Sequence, residues 1–101
     1  MIRSKKQALE ALSDVNPNFV FWLCDGTTLK NLSELLEALK VMSRETFIYH
    51  VNSEKNDFAK WIEDIIKDEK LARDLRKVKT KRDTIKILKE RIKWLKKKAK
   101  K

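Results

Sequence analysis

Apolar positions recur every three or four residues through most of this chain, and polar capping residues interrupt them at short intervals. Residues 4–13, SKKQALEALS, predict a short helix capped by Ser4, with Ala8, Leu9 and Leu12 on its apolar side. Asn16-Pro17-Asn18 ends it. The run FVFWLC, residues 19–24, has no helical period and stands directly before Asp25-Gly26. An aromatic run ahead of Asp-Gly signals a hairpin or an extended segment, with Thr27-Thr28-Leu29 as the partner.

From Asn31 onward the period is that of helices. Asn31 and Glu34 stand in a capping-box arrangement, and Leu32, Leu35, Leu36 and Leu39 follow at helical spacing. Ser43 caps a short helix containing Phe47, Ile48 and Val51. After the polar link 52–55, Asn56 caps a helix with Phe58, Trp61, Ile62 and Ile65 on one side. Asp68 caps DEKLARDLRKV, with Leu71, Leu75 and Val78 at i, i+4 and i+7. Thr80 caps the last helix, with Asp83 at the capping-box position. The expected fold is mainly α, a compact bundle of about six mostly short helices, with a short extended segment or hairpin near residues 19–29.

Composition supports helices. Gly26 is the only glycine and Pro17 the only proline, too few breakers for a sheet-rich fold with many tight turns. A chain of 101 residues suffices for one domain with a modest core. Cys24 is the only cysteine and His50 the only histidine, so no internal disulfide and no zinc site of the usual kinds is expected. The start lacks a signal-peptide apolar run, and FVFWLC is far too short to span a bilayer, so a soluble, cytoplasmic protein is expected. Abundant Lys, Glu and Ile with Gln7 as the only glutamine resembles a thermophile's composition.

Charge divides the chain in two. Residues 1–78 hold 13 basic and 13 acidic residues, a neutral helical body. Residues 79–101 hold 12 basic residues against Asp83 and Glu90, and so carry the whole net charge of +10. This lysine-rich C-terminal helix is expected to pack on the body within a single domain spanning 1–101. Projected at 100° per residue, Ile85, Leu88, Ile92, Leu95 and Ala99 form one narrow stripe. Arg82, Lys86, Lys89, Lys93, Lys96, Lys97 and Lys100 fall on another face, with Ile87, Arg91 and Trp94 between the two. A helix carried to the end of the chain is about 30 Å long. Crowded like charges and the lack of a cap predict fraying beyond Lys97.

Candidate chemistry elsewhere is sparse. In YHVNSEKNDFAKWIED, His50 and Asp57 could act as base and orienter, but no nucleophile with an oxyanion site accompanies them. Cys24, embedded in the aromatic run, is expected to be buried and inert. The structural alternative makes Asn56 a helix cap, Asp57 a first-turn acid, Trp61 a core residue and His50 a partner of a helix end or carbonyl. Adjacent Glu63-Asp64 and the cap pair Asp68-Glu69 make no carboxylate pair for metal binding, and one glycine cannot build a phosphate loop. No catalytic residue, metal ligand or cofactor is assigned.

LCDGTTLKNLSELLEAL followed by ETFIYHVNSEKNDFAKWIED resembles a family of small archaeal and bacterial domains of unknown function. The shared features are an L-x-E-L/F-x-x-A-L helix at Leu32 to Leu39, Tyr49-His50, NDFAxW(I/V)xD at Asn56 to Asp64, and LA-x-x-L at Leu71 to Leu75. The resemblance covers roughly residues 19–78, with weaker likeness to Ile92. It implies a helical domain without an assigned activity, the end beyond Lys93 being a local elaboration.

The first functional reading is a small non-catalytic binding module. Its cationic ridge would contact a DNA or RNA backbone without sequence specificity. No aromatic stands among the ridge lysines, which favours a duplex or structured RNA over base stacking. The alternative is a protein-interaction or self-associating domain using Ile87, Trp94 and Trp22, which gains if Trp94 is solvated beside other apolar side chains. A bland reading makes the lysines a solvated face complementing the helix dipole. An anionic membrane surface and an enzyme built on His50 and Asp57 fit less well.

Overall fold

Each predicted cap captures the amide that starts its helix. The computed structural model describes residues 2–100. Ser4 caps helix α1 (Lys5–Leu12) and Gln7 closes a reciprocal box with it. A 3₁₀ turn at Pro17–Phe19 leads to strand β1 (Phe21–Trp22), which pairs antiparallel with β2 (Thr28–Leu29). Asn31 caps α2 (Leu32–Val41), and Ser43 caps α3 (Arg44–His50). Asn56 caps α4 (Asp57–Trp61), whose chain runs on into a π-turn at Ile62–Ile66. Asp68 caps α5 (Glu69–Arg76), and Thr80 caps α6 (Lys81–Ala99). Among the described residues, six helices and one small hairpin match the mainly α expectation.

The hairpin depends on Gly26. Gly26 N–H donates to the Leu23 carbonyl at 2.9 Å and Leu23 N–H to the Thr27 carbonyl at 2.8 Å, so Cys24, Asp25 and Gly26 form a three-residue loop. The last loop position needs positive φ, and Gly26 has φ 95°. Asp25 Oδ1 accepts from Thr27 N–H at 2.9 Å, and that hydrogen bond holds the Asp25 carboxyl below the usual carboxylate value. The alternation puts Phe21 and Leu23 inward and Trp22 outward.

The core is one cluster in which α6 is the central strut. It packs against α1, α2 and α5, and its Leu88 and Leu95 are fully buried. Burying each such leucine contributes about 2 kcal/mol over leaving it exposed. Lys81 Nζ donates to the Met42 carbonyl at 2.8 Å, tying the start of α6 to the end of α2. The basic segment is therefore built into the core rather than appended to it.

Several details depart from the helical projections. Ala8 and Ala11 are the buried face of α1, while Leu9 is half-exposed, because close approach to α6 admits only small side chains there. Ile48 faces outward on α3. Glu34 reaches back to Lys30 N–H at 2.9 Å instead of completing a box with Asn31. The helix expected from Asn56 through Ile65 is interrupted by the π-turn, closed by Lys67 N–H donating to the Ile62 carbonyl at 2.7 Å. Lys67 sits at φ 70°, a left-handed conformation that lets the chain swing into α5. Helix α6 continues past Lys97 to Ala99 with Lys100 as its C-cap, so the expected fraying is absent over that stretch, while Lys101 lies outside the described residues.

Gly26→Ala tests the loop. A Cβ there meets no atom within 4 Å, so the cost is backbone strain alone. It should lower stability by about 1–2 kcal/mol in denaturant melts while keeping the helical circular dichroism of the native chain.

Candidate nucleic-acid interface

Helix α6 presents three faces, and each follows from what it touches. Thr80 Oγ1 accepts from Asp83 N–H at 3.1 Å, and Thr84 Oγ1 donates to the Thr80 carbonyl at 2.8 Å, so the first turn is sealed. The inner face consists of Thr84, Leu88, Ile92 and Leu95, all buried. Ile85 and Ala99, placed in the stripe by the projection, are only partly buried. The buried arc is rotated toward Arg91, because α5 packs on that flank and draws the helix round.

The second face is the ridge. Arg82, Lys86, Lys89, Lys93, Lys96, Lys97 and Lys100 are all exposed, as the projection indicated. They extend over about 27 Å at 1.5 Å per residue. Among the described residues none has a carboxylate within 4.0 Å. The body contrasts sharply. There Lys30, Lys40, Lys55, Lys60, Lys70, Arg76 and Lys77 each meet a carboxylate. Like charges three and four apart along the ridge repel by about 0.2–0.5 kcal/mol per pair, a strain that an anion lying along it would remove.

The third face carries a buried ion pair. Arg91 Nε donates to Asp68 Oδ2 at 2.8 Å and Arg91 Nη2 to Asp68 Oδ1 at 2.9 Å, a bidentate pair. The Asp68 side chain is 1% exposed, and its Oδ1 also accepts from Leu71 N–H at 3.2 Å. One carboxylate thus caps α5 and anchors the middle of α6. Position 68 was legible as a cap, but nothing in the local pattern identified its partner 23 residues away.

Trp94 stands beside this pair and is 41% exposed. The Arg91 guanidinium carbon lies 4.3 Å from its ring centroid and Lys98 Nζ lies 5.6 Å from it, both in cation–π range. Trp94 and Ile87 line a groove of about 620 Å³ with Ile2, Leu71 and Val78, and Lys70, Asp74, Lys77 and Glu90 also line it. Trp94, placed by the projection between the ridge and the buried stripe, is thus exposed next to Lys98. Trp22, grouped with Ile87 and Trp94 by sequence, lines a different concavity beside His50 and Trp61.

The structure does bring His50 and Asp57 together, at 2.9 Å between Nδ1 and Oδ2. The other ring nitrogen, Nε2, accepts from Cys24 N–H at 3.0 Å, which makes Nδ1 the protonated donor to Asp57. Both nitrogens are committed, and the ring is buried against Phe21 and Phe58. His50 thus pins the hairpin loop to α4, with Cys24 N–H as its partner in place of the expected helix end or carbonyl. Cys24 is exposed, correcting the expectation of burial, because its side chain lies in the loop, past the last inward position Leu23. Burial pulls the Asp57 carboxyl up, but hydrogen bonds from Lys55 and His50 outweigh it and hold the group below the usual carboxylate value. Among the described residues no three His, Cys, Asp or Glu side chains gather as metal ligands, and no helix is long and apolar enough to cross a membrane.

Two substitutions test these pairs. Asp68→Ala strands a largely buried guanidinium and removes a cap, so unfolding free energy should fall by about 3–5 kcal/mol in urea titrations. Asp57 contributes stability that is fully present above its unfolded pKa, about 3.9, and is lost as pH falls through its lower folded value. Asp57→Asn should therefore destabilise the chain at pH 7 and show a smaller difference from the parent near pH 2–3 in thermal melts.

Neither a curated protein nor a solved structure matches the chain. A family model does, and its match runs a few residues beyond the resemblance, which covers roughly residues 19–78 with weaker likeness to Ile92. Over residues 16–97, from the turn before the hairpin to the last turns of the basic helix, the chain matches the model of a family of unknown function, DUF5752, and it belongs to that family.

Proposed function

We propose that the protein is a non-catalytic module that binds the backbone of DNA or RNA through the ridge of α6. The single observation carrying this reading is that Arg82, Lys86, Lys89, Lys93, Lys96, Lys97 and Lys100 stand exposed on one face without a carboxylate partner among the described residues, while body lysines are mostly paired. A rigid row of cations along a helix held by its buried face suits a regular row of phosphates. Lysine contributes point charge and little geometry, so contact is nonspecific.

A second reading, a partner-binding or self-associating domain, is favoured by the half-exposed Trp94 beside Ile87 in the groove. Self-association is opposed by the net charge of +10 that each copy would bring to the contact.

A salt series with random-sequence duplex DNA and RNA tests the backbone reading. Truncation after Lys93 is unsuitable, since it removes the fully buried Leu95. The variant with Lys89, Lys93, Lys96 and Lys97 changed to Gln keeps the core. It should bind more weakly, and the slope of log affinity against log salt should flatten by about 3–4 units, near 0.9 per lost phosphate contact. Equal affinity and equal slope would refute the ridge as the site.

A further inference from the structure

We propose that the groove between α5 and α6 takes an unstacked base of a single-stranded nucleic acid, with the Trp94 indole as the stacking platform. This inference rests on the backbone-binding reading but reverses its sequence-based preference for a duplex, favouring unpaired strands. The ridge and the groove are two faces of one helix. Lys97, a ridge residue, and Lys98 follow Trp94 by three and four positions, which places their Cβ atoms about 5–6 Å from that of Trp94. A strand whose phosphates follow the ridge brings its bases to the mouth of the groove.

The platform is held in advance. Arg91 lies 4.3 Å from the ring centroid and is itself fixed by two hydrogen bonds to buried Asp68. Little ordering remains when a base arrives. Lys98 Nζ is 5.6 Å from the same ring and has no ion-pair partner among the described residues. A base sliding onto the indole displaces this flexible ammonium, which is then free to meet the adjoining phosphate. Leu71, Val78 and Ile87 give the groove an apolar wall, and about 620 Å³ lies within the range of small-ligand sites. Glu90 at the groove is exposed with no cation within 4.0 Å among the described residues, so it offers an acceptor to a Watson–Crick-edge N–H of a base, such as N3–H of uracil.

A protein helix is the less suitable occupant. It would need several apolar recesses at helical spacing, whereas this groove offers one large ring with cations over it, a pattern suited to a base and its phosphate. A second copy would have to overcome the repulsion between two strongly basic chains.

The test measures binding of a short oligouridylate and of an RNA duplex of equal length to the full chain at low salt, by fluorescence anisotropy. Trp94→Ala should weaken oligouridylate binding about tenfold and change duplex binding by less than about twofold, with Trp94→Phe restoring most of the loss. In the native chain, uridine monophosphate should shift the Trp94 indole N–H resonance, and inorganic phosphate should not. An equal loss on both ligands, or no loss on either, overturns the stacking proposal while leaving the ridge intact. Failure of the native chain to bind either RNA overturns the proposal, and failure with duplex DNA as well overturns the backbone reading with it. Loss of a dimer in sedimentation, with RNA affinity unchanged, would assign the groove to a second copy and overturn it as well.

Discussion

Much of this structure turns on one carboxylate taken out of water. Asp68 accepts from Leu71 N–H and from two guanidinium N–H groups of Arg91, so all its charge is answered inside the fold. An unanswered charge there would be too costly to bury, so the carboxylate can be buried only where α5 and α6 meet in one relative position. Because the guanidinium binds as a planar fork, the contact sets the rotation of α6 about its own axis as well as its distance from α5. Replacement by apolar residues of similar shape could be equally stable, but greasy contacts would tolerate other rotations that a bidentate pair excludes.

That rotation decides what the solvent sees. With Arg91 turned toward α5, Thr84, Leu88, Ile92 and Leu95 close the core and the row from Arg82 to Lys100 is left outside. The same turn leaves Trp94 at the boundary, half in a groove and half in water, with Arg91 locked beneath its electrostatic reach. The setting of Trp94 in the groove thus follows from that contact, while the ridge follows from the period of α6. The His50–Asp57 pair plays a parallel structural part, holding the hairpin loop through Cys24 N–H with both ring nitrogens engaged.

The crowded cations are tolerated because the core holds α6 from the other side. Most body lysines, though among the described residues not Lys5, Lys6 or Lys67, find carboxylates a few residues away, which neutralises the surface locally. On α6 the only acids of residues 79–101, Asp83 and Glu90, form no ion pair among the described residues. Membership of a family whose model runs through residue 97 places most of the basic helix inside the shared module, which agrees with its position at the centre of the core.

Local signals were legible wherever the physics is local. Ser4, Asn31, Ser43, Asn56, Asp68 and Thr80 each cap the helix they precede, since a cap needs only a side chain and an amide two or three residues away. Asp25-Gly26 marked the hairpin for the same reason, and the period of α6 separated its lysines from its leucines. Long-range choices were not legible. The inward turn of Ala8 and Ala11 over Leu9, the π-turn with Lys67 left-handed, the tie from His50 to Cys24, and the Asp68–Arg91 pair all depend on which surface arrives from elsewhere. By itself, then, the order of residues determined the helices and the segregation of charge along α6. Only the tertiary structure decided how α6 is rotated and what lies beside Trp94, because packing and buried pairing act between segments that sequence spacing does not relate.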